Sequence, residues 1–339
     1  MDALILTGKH QIHIGSFPEP PMDDNSVKVA VSYCGICGTD LHKFGGRSGS
    51  RPLKLPVPLG HEISGVVESV GRNVRGFRPG DRVTVDPNWS CGYCDACRNG
   101  RRHLCENSRG VVKGMADFIC PPQENVYRIP DELSLRDAAL AEPLSCCLHG
   151  MDLLDVKLGE TVAIVGFGAI GAIMLQLCRL ASAANIIIIE TNPEKREKAL
   201  AMGATLFIDP SVQDPVKAIA DAGIGNVDKV MECVGLPVTV TTALQVAGKC
   251  ARVVIFGVGD PEKPVSFNYY DAMVKELDIR MSFLNPCTTD RAIRLLAART
   301  VDVEQIISKV ISPQEALTEF EERTWIRQGK VLVKWKEME

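Results

Sequence analysis

The chain carries no long block of like charge, no low-complexity linker and no internal repeat. Lys and Arg number 38 against 42 Asp and Glu, for a net charge of −4 at pH 7. Without a broad cationic surface, nucleic acid is excluded as a partner. The opening residues MDALILTGKH hold only a short apolar run and no basic lead-in, unlike a secretory signal, so the chain is expected to stay in the cytoplasm. One uncharged stretch, 161–178, approaches the minimum length of a membrane span. It contains three glycines at ordered spacing, begins β-branched and ends at Arg179, which suits a buried strand, turn and helix, so no membrane association is expected. Thirteen cysteines in 339 residues are out of place as disulfides in a reducing compartment. Some are expected to bind metal.

What is present is globular: 45% hydrophobic and 24% charged residues, with length enough for two ordinary domains. Residues 1–150 are rich in Gly, Pro and short β-type runs such as SVKVAVSY, SGVVESVG and DRVTVD, which reads as a mostly β module. Over 151–284 strands alternate with helices: TVAIVG, a helix to Ala181, the apolar run Ile186 to Ile189, a helix from Pro193, then LFID, KVMECVG, RVVIFGVG and LDIRMSFL. That alternation predicts a doubly wound parallel sheet, and the unbroken isoleucines predict a strand covered on both faces. Residues 285–339 turn helical and close with KVLVKW, a tail expected to return to the first module. The fold class is therefore α/β, a mostly β domain plus a Rossmann domain.

Gly166, Gly168 and Gly171 form G-x-G-x-x-G between the strand TVAIVG and a helix that opens at Ala169 and Ile170. The first glycine permits the tight turn, the second lets backbone approach a pyrophosphate, and the third allows close helix packing. The free N–H groups at the helix start favour phosphate. Glu190 ends the next strand, where a carboxylate accepts ribose hydroxyls and disfavours a 2′-phosphate. NAD is predicted over NADP, with Lys195 and Arg196 nearby as the opposing feature.

Cys91, Cys94, Cys97 and Cys105 lie within WSCGYCDACRNGRRHLC. Four thiolates close a tetrahedral zinc shell with no position left for substrate, a structural site; a redox Cys-x-x-Cys pair does not explain four cysteines together. A second candidate site draws on distant segments: Cys37 in CGICGTDLH, His61 and Glu62 in PLGHEISG, and Glu142 in LAEPLSCC. A thiolate, an imidazole and a carboxylate leave zinc an open position, as catalysis needs. Each residue alone also reads as core or as a helix boundary. Setting these five candidate metal cysteines aside leaves eight of the thirteen, for which core packing is expected.

Together Cys37 to His42, Gly60 to Glu62, the four-cysteine lobe, Glu142–Pro143 and the turn GFGAIG resemble the medium-chain zinc-dependent alcohol dehydrogenases, in order and over nearly the whole chain. Glutamate in the E-P step is similar to the sorbitol and polyol dehydrogenase branch. The resemblance implies a GroES-like catalytic domain of residues 1–150 with 285–339, a Rossmann domain of 151–284, an active site in the cleft between them, and a homo-dimer or homo-tetramer. It implies two zinc ions per subunit, with Cys37, His61 and Glu142 as ligands of the catalytic one. Glu62 is then either a supporting carboxylate or an alternating ligand. Thr39 would hydrogen-bond the substrate oxygen and His42 would pass the proton to solvent. Lys195, Val258 and Leu284 join the glycine turn and Glu190 as cofactor contacts.

The implied reaction moves a hydride between NAD and a secondary hydroxyl, with zinc as Lewis acid and an imidazole that exchanges protons near neutral pH. Two departures bear on the substrate. VVKGMADF replaces the common GGFAEY pattern, and Phe283 is followed by Leu284 where sorbitol dehydrogenases tend to carry arginine. A polyol, sugar alcohol or sugar acid is the expected substrate class. The alternatives are threonine or another amino alcohol, a simple diol, or, from a different class, a non-catalytic zinc- or nucleotide-binding protein.

Overall fold

A computed structural model describes residues 1–47 and 53–336. It divides into two units, Met1–Ser145 with Asn285–Glu339, and Cys146–Leu284.

The first unit is built on a seven-stranded sheet. Its main path runs Val126–Arg128, Arg82–Val85, Glu62–Val70, Val27–Gly35, Lys330–Lys334 and Ile307–Ile311, with Phe118–Ile119 also pairing on Val27–Gly35. Val27, Val29 and Val31 are all fully buried, as alternation along a β-branched strand requires. They pack with Leu4, Ile63, Phe44 and Phe320 in one core. The tail enters this sheet directly, Leu332 opposite Gly35 and Val333 opposite Cys34. Its last helix, Pro313–Glu322, starts with a capping box in which the Ser312 hydroxyl accepts the Glu315 N–H, a local signal readable in SPQE.

The second unit is a six-stranded parallel sheet. Its order is Leu206–Ile208, Asn185–Ile189, Thr161–Val165, Lys229–Glu232, Arg252–Ile255, Asp278–Met281. Numbered along the chain, that is 3-2-1-4-5-6, the doubly wound order. Every residue of TVAIV is buried, as are Ile186 to Ile189. Helices on both faces explain an apolar run without alternation. The segment from Pro193 differs from expectation: it begins as a 3-10 turn, Pro193–Lys195, and is α-helical only over Arg196–Ala201.

All thirteen cysteines are free. Cys250 and Cys287 correct the expectation of core packing. Both are exposed and sit in left-handed turns at φ 58 and 57, conformations that occur where the chain reverses at the surface. No helix among the described residues is long and apolar enough to cross a membrane.

Candidate active site

Local sequence dictates the four-cysteine lobe. The ligand atoms of Cys91, Cys94, Cys97 and Cys105 all lie within 4.8 Å of one another. A tetrahedron with zinc–sulfur bonds of about 2.3 Å has sulfur–sulfur edges of about 3.8 Å. Cys94 Sγ and Cys105 Sγ are 3.8 Å apart, and Cys105 Sγ and Cys91 Sγ 3.5 Å, far beyond a disulfide bond. The Cys94 N–H points at Cys91 Sγ at 3.4 Å. Although burial pushes the Cys91 thiol up, the Asn107 amide and nearby backbone N–H groups draw it down to about 6. The donor set fits zinc and uses all four positions.

The second cluster is assembled by the sheet of the first unit. Cys37 precedes the helix Gly38–Phe44, and His61 stands just before the strand Glu62–Val70. Pairing of Val27–Gly35 with that strand sets Gly35 opposite Glu62. As a result a Cys37 sulfur, a His61 nitrogen and a Glu62 oxygen all lie within 4.8 Å of one another. Glu142, in the first turn of the helix Ala141–Leu154, stands outside that closest set. Its carboxyl nonetheless feels the same charges: burial and Glu62 raise it to about 7, while His61 opposes them. Thr39 and His42 are half-buried on the Gly38–Phe44 helix, three residues apart and so on one face.

Asp40, which sequence reasoning missed, organises this cluster. It is fully buried. Its Oδ2 accepts the Cys37 N–H at 3.1 Å, and its Oδ1 accepts the Gly60 N–H at 3.1 Å. Oδ1 also faces His61 Nδ1 at 3.7 Å, which leaves Nε2 as the outward nitrogen, the arrangement of a metal-binding histidine. Burial pushes the Asp40 carboxyl up, but His61 beside it outweighs that and holds it at about 2. Burial pushes His61 down, yet Cys37 and Asp40 raise it well above the usual imidazole value. Such a set favours a bound cation, proton or metal. The spacing Cys37-x-x-Asp40 was visible, but it reads equally as an ordinary acidic residue in a first helical turn.

Lys330 was also missed. Its Nζ donates to Glu62 Oε1 at 2.6 Å. Glu62 Oε2 is buried and has no partner among the described residues, an orphaned acceptor that a metal would satisfy.

In the second unit the glycine turn behaves as its spacing requires. Gly166 has φ 95, and a Cβ on Gly171 would stand 2.1 Å from the Gly166 carbonyl oxygen. A Cβ on Gly168 would meet nothing within 4 Å, so that residue borders open space. The space is a cavity of about 930 Å³ lined by Gly166, Gly168, Glu190, Thr191, Val234 and Thr242, among others. Glu190 Oε2 accepts the Phe167 N–H at 2.8 Å and faces Lys195 Nζ at 3.2 Å. Burial raises the Glu190 carboxyl, but Lys195 and the backbone N–H groups lower it overall. Ala169 and Ile170 open the helix Ala169–Leu180; Lys195, Val258 and Leu284 lie outside the cavity lining. Glu232, not singled out from sequence, shapes the opposite wall: its Oε1 accepts the Val234 and Gly235 N–H groups and the Thr239 hydroxyl.

Comparison with known proteins agrees with both halves. Residues 23–131 match the family model of the alcohol dehydrogenase GroES-like domain, and residues 169–298 that of zinc-binding dehydrogenases. The chain is 31% identical over 322 residues to sorbitol dehydrogenase of Bacillus subtilis, covering 93% of this chain and 91% of that one. It is 30% identical over 327 residues to L-threonine 3-dehydrogenase of Pectobacterium atrosepticum, covering 94% and 90%. A Sinorhizobium meliloti 1021 protein, described as a zinc-binding dehydrogenase and solved with NADP, is 38% identical with a TM-score of 0.91, covering 98% of this chain and 99% of that one. The chain is a zinc-type, nicotinamide-dependent oxidoreductase and belongs to the medium-chain zinc-dependent alcohol dehydrogenase superfamily, beside its sorbitol and polyol dehydrogenases.

Proposed function

We propose that the chain oxidises a secondary hydroxyl of a polyol, sugar alcohol or sugar acid with NAD, and reduces the matching ketone in reverse. The observation that carries this is the gathering of Cys37, His61 and Glu62 ligand atoms within 4.8 Å, braced by Asp40. Cys37 and His61 hold the catalytic zinc, with Glu142 or Glu62 as the carboxylate ligand. Zinc supplies a Lewis acid that makes the substrate hydroxyl more acidic, and the nicotinamide accepts the hydride.

The protein's own groups do the rest. Asp40 fixes the His61 ring so that one nitrogen faces the metal. The Thr39 hydroxyl takes the substrate proton and passes it towards His42, which exchanges it with water. Glu190 receives the adenosine ribose hydroxyls, which favours NAD. The relative to L-threonine 3-dehydrogenase supports an amino alcohol as second substrate class. Thirteen free thiols support a reducing compartment, the cytoplasm. The edge strand Asp278–Met281, with Met281 67% exposed, supports self-association into a homo-oligomer.

The test is metal analysis of purified protein with an initial-rate screen of sugar alcohols, sugar acids, diols and threonine, using NAD and NADP in parallel. Two zinc ions per chain and NAD-linked turnover of a polyol-like compound are expected. Zinc held only by the four-cysteine lobe would remove the catalytic reading, and a preference for NADP would overturn the role of Glu190.

A further inference from the structure

Glu62 and Lys330 form an ion pair whose side chains are 1% and 5% exposed. Replacing such a pair with apolar residues is often neutral or stabilising, so its presence needs a reason beyond stability. Lys330 opens the strand Lys330–Lys334. Besides Glu62 Oε1, its ammonium reaches the Ile36 carbonyl at 3.1 Å, immediately before Cys37. One cation therefore touches both segments that carry the clustered ligand atoms. Gly35, opposite Glu62, completes the seat: a Cβ there would lie 2.0 Å from Glu62 Oε2.

A carboxylate free at both oxygens can grip a divalent ion with both, whereas catalytic zinc keeps one position for substrate. We propose that Lys330 is a positioning residue that ties down one oxygen of Glu62, so that this carboxylate gives the metal at most one oxygen and a coordination position stays open for substrate. The proposal rests on the zinc reading of Cys37, His61 and Glu62. Lys330 acts through Glu62 and also sets its positive charge against that of the ion, so it loosens metal binding while it preserves access.

The test uses Lys330→Met and, as a milder change that can still donate a hydrogen bond, Lys330→Gln. Both are titrated with zinc against a chromophoric chelator, and cobalt is substituted so that the intensity of its visible bands reports coordination number. At least tenfold tighter zinc binding in Lys330→Met is expected. Weaker cobalt bands, the sign of added ligands, and a fall in kcat larger than any change in KM should accompany it, and Lys330→Gln should move the same way by less. Should Lys330→Met fail to fold, Lys330→Gln decides alone. Unchanged or weaker metal binding with an unaltered cobalt spectrum overturns the proposal and leaves Lys330 a brace for its strand. A wild-type protein with zinc in the cysteine lobe alone defeats instead the underlying zinc reading, which separates the two failures.

Discussion

Asp40→Asn changes one atom in a fully buried side chain, and its effect follows from three contacts. The carboxylate accepts the Cys37 and Gly60 N–H groups and faces His61 Nδ1. An amide retains one accepting oxygen, so its NH2 must face at least one donor, and a buried unsatisfied donor costs about 1–3 kcal/mol. Charge adds a second effect. Asp40 titrates at about 2 instead of 3.8, and a carboxyl depressed on folding contributes stability above its unfolded pKa, lost as pH falls through the folded one. That contribution is about 2.5 kcal/mol in metal-free protein, present above about pH 4. Because Asp40 orients the His61 ring, zinc affinity at this site should fall ten- to a hundredfold. Dialysis against graded chelator, with zinc counted per chain, reads the loss, and the four-cysteine zinc serves as internal control. Equal retention of both ions by Asp40→Asn and wild type, with unchanged stability near neutral pH, would refute the reasoning.

Two glycine substitutions should part company. Gly171→Ala pushes a methyl against the Gly166 carbonyl and should cost about 1–3 kcal/mol of stability, whereas Gly168→Ala, facing open space, should fold normally and weaken NADH binding in a fluorescence titration. Glu142, raised to about 7 by burial, contributes stability below its unfolded pKa that is lost as pH rises through 7. Metal-free wild type should therefore lose up to about 3 kcal/mol from this group between pH 4.5 and 7.5, a slope absent in Glu142→Gln when urea midpoints are compared across pH. His42→Ala should lose activity chiefly near neutral pH and recover in alkali, and an unchanged pH–rate profile would take His42 out of the proton path.

Much of the architecture was legible because its causes are local. The apolar runs at Thr161–Val165 and Ile186 to Ile189 and the glycine turn all follow from residues close in sequence, whereas the order of the strands emerges only in the structure. The four cysteines were readable for the same reason, since all lie between positions 91 and 105. Asp40 was not, because a first-turn acidic residue usually caps its own helix, and its partner Gly60 is 20 residues away. Lys330 was beyond reach: its partner is separated from it by 268 residues, and no spacing rule spans such a distance. Cys250 and Cys287 were misread because composition says how often thiols are buried and nothing about left-handed turns.

That separation of 268 residues also sets a timetable for the living cell. A ribosome has finished Cys37, His61 and Glu62 long before it reaches the lysine that answers Glu62, so the emerging chain carries an acid without its counter-ion. Domains generally acquire structure as units in order of synthesis, yet this one cannot settle its charge until the strand Lys330–Lys334 has joined the sheet. If Lys330 restrains Glu62 as proposed, a chain truncated before position 330 would retain the ligand set of Cys37, His61 and Glu62 with nothing to limit its grip on stray metal.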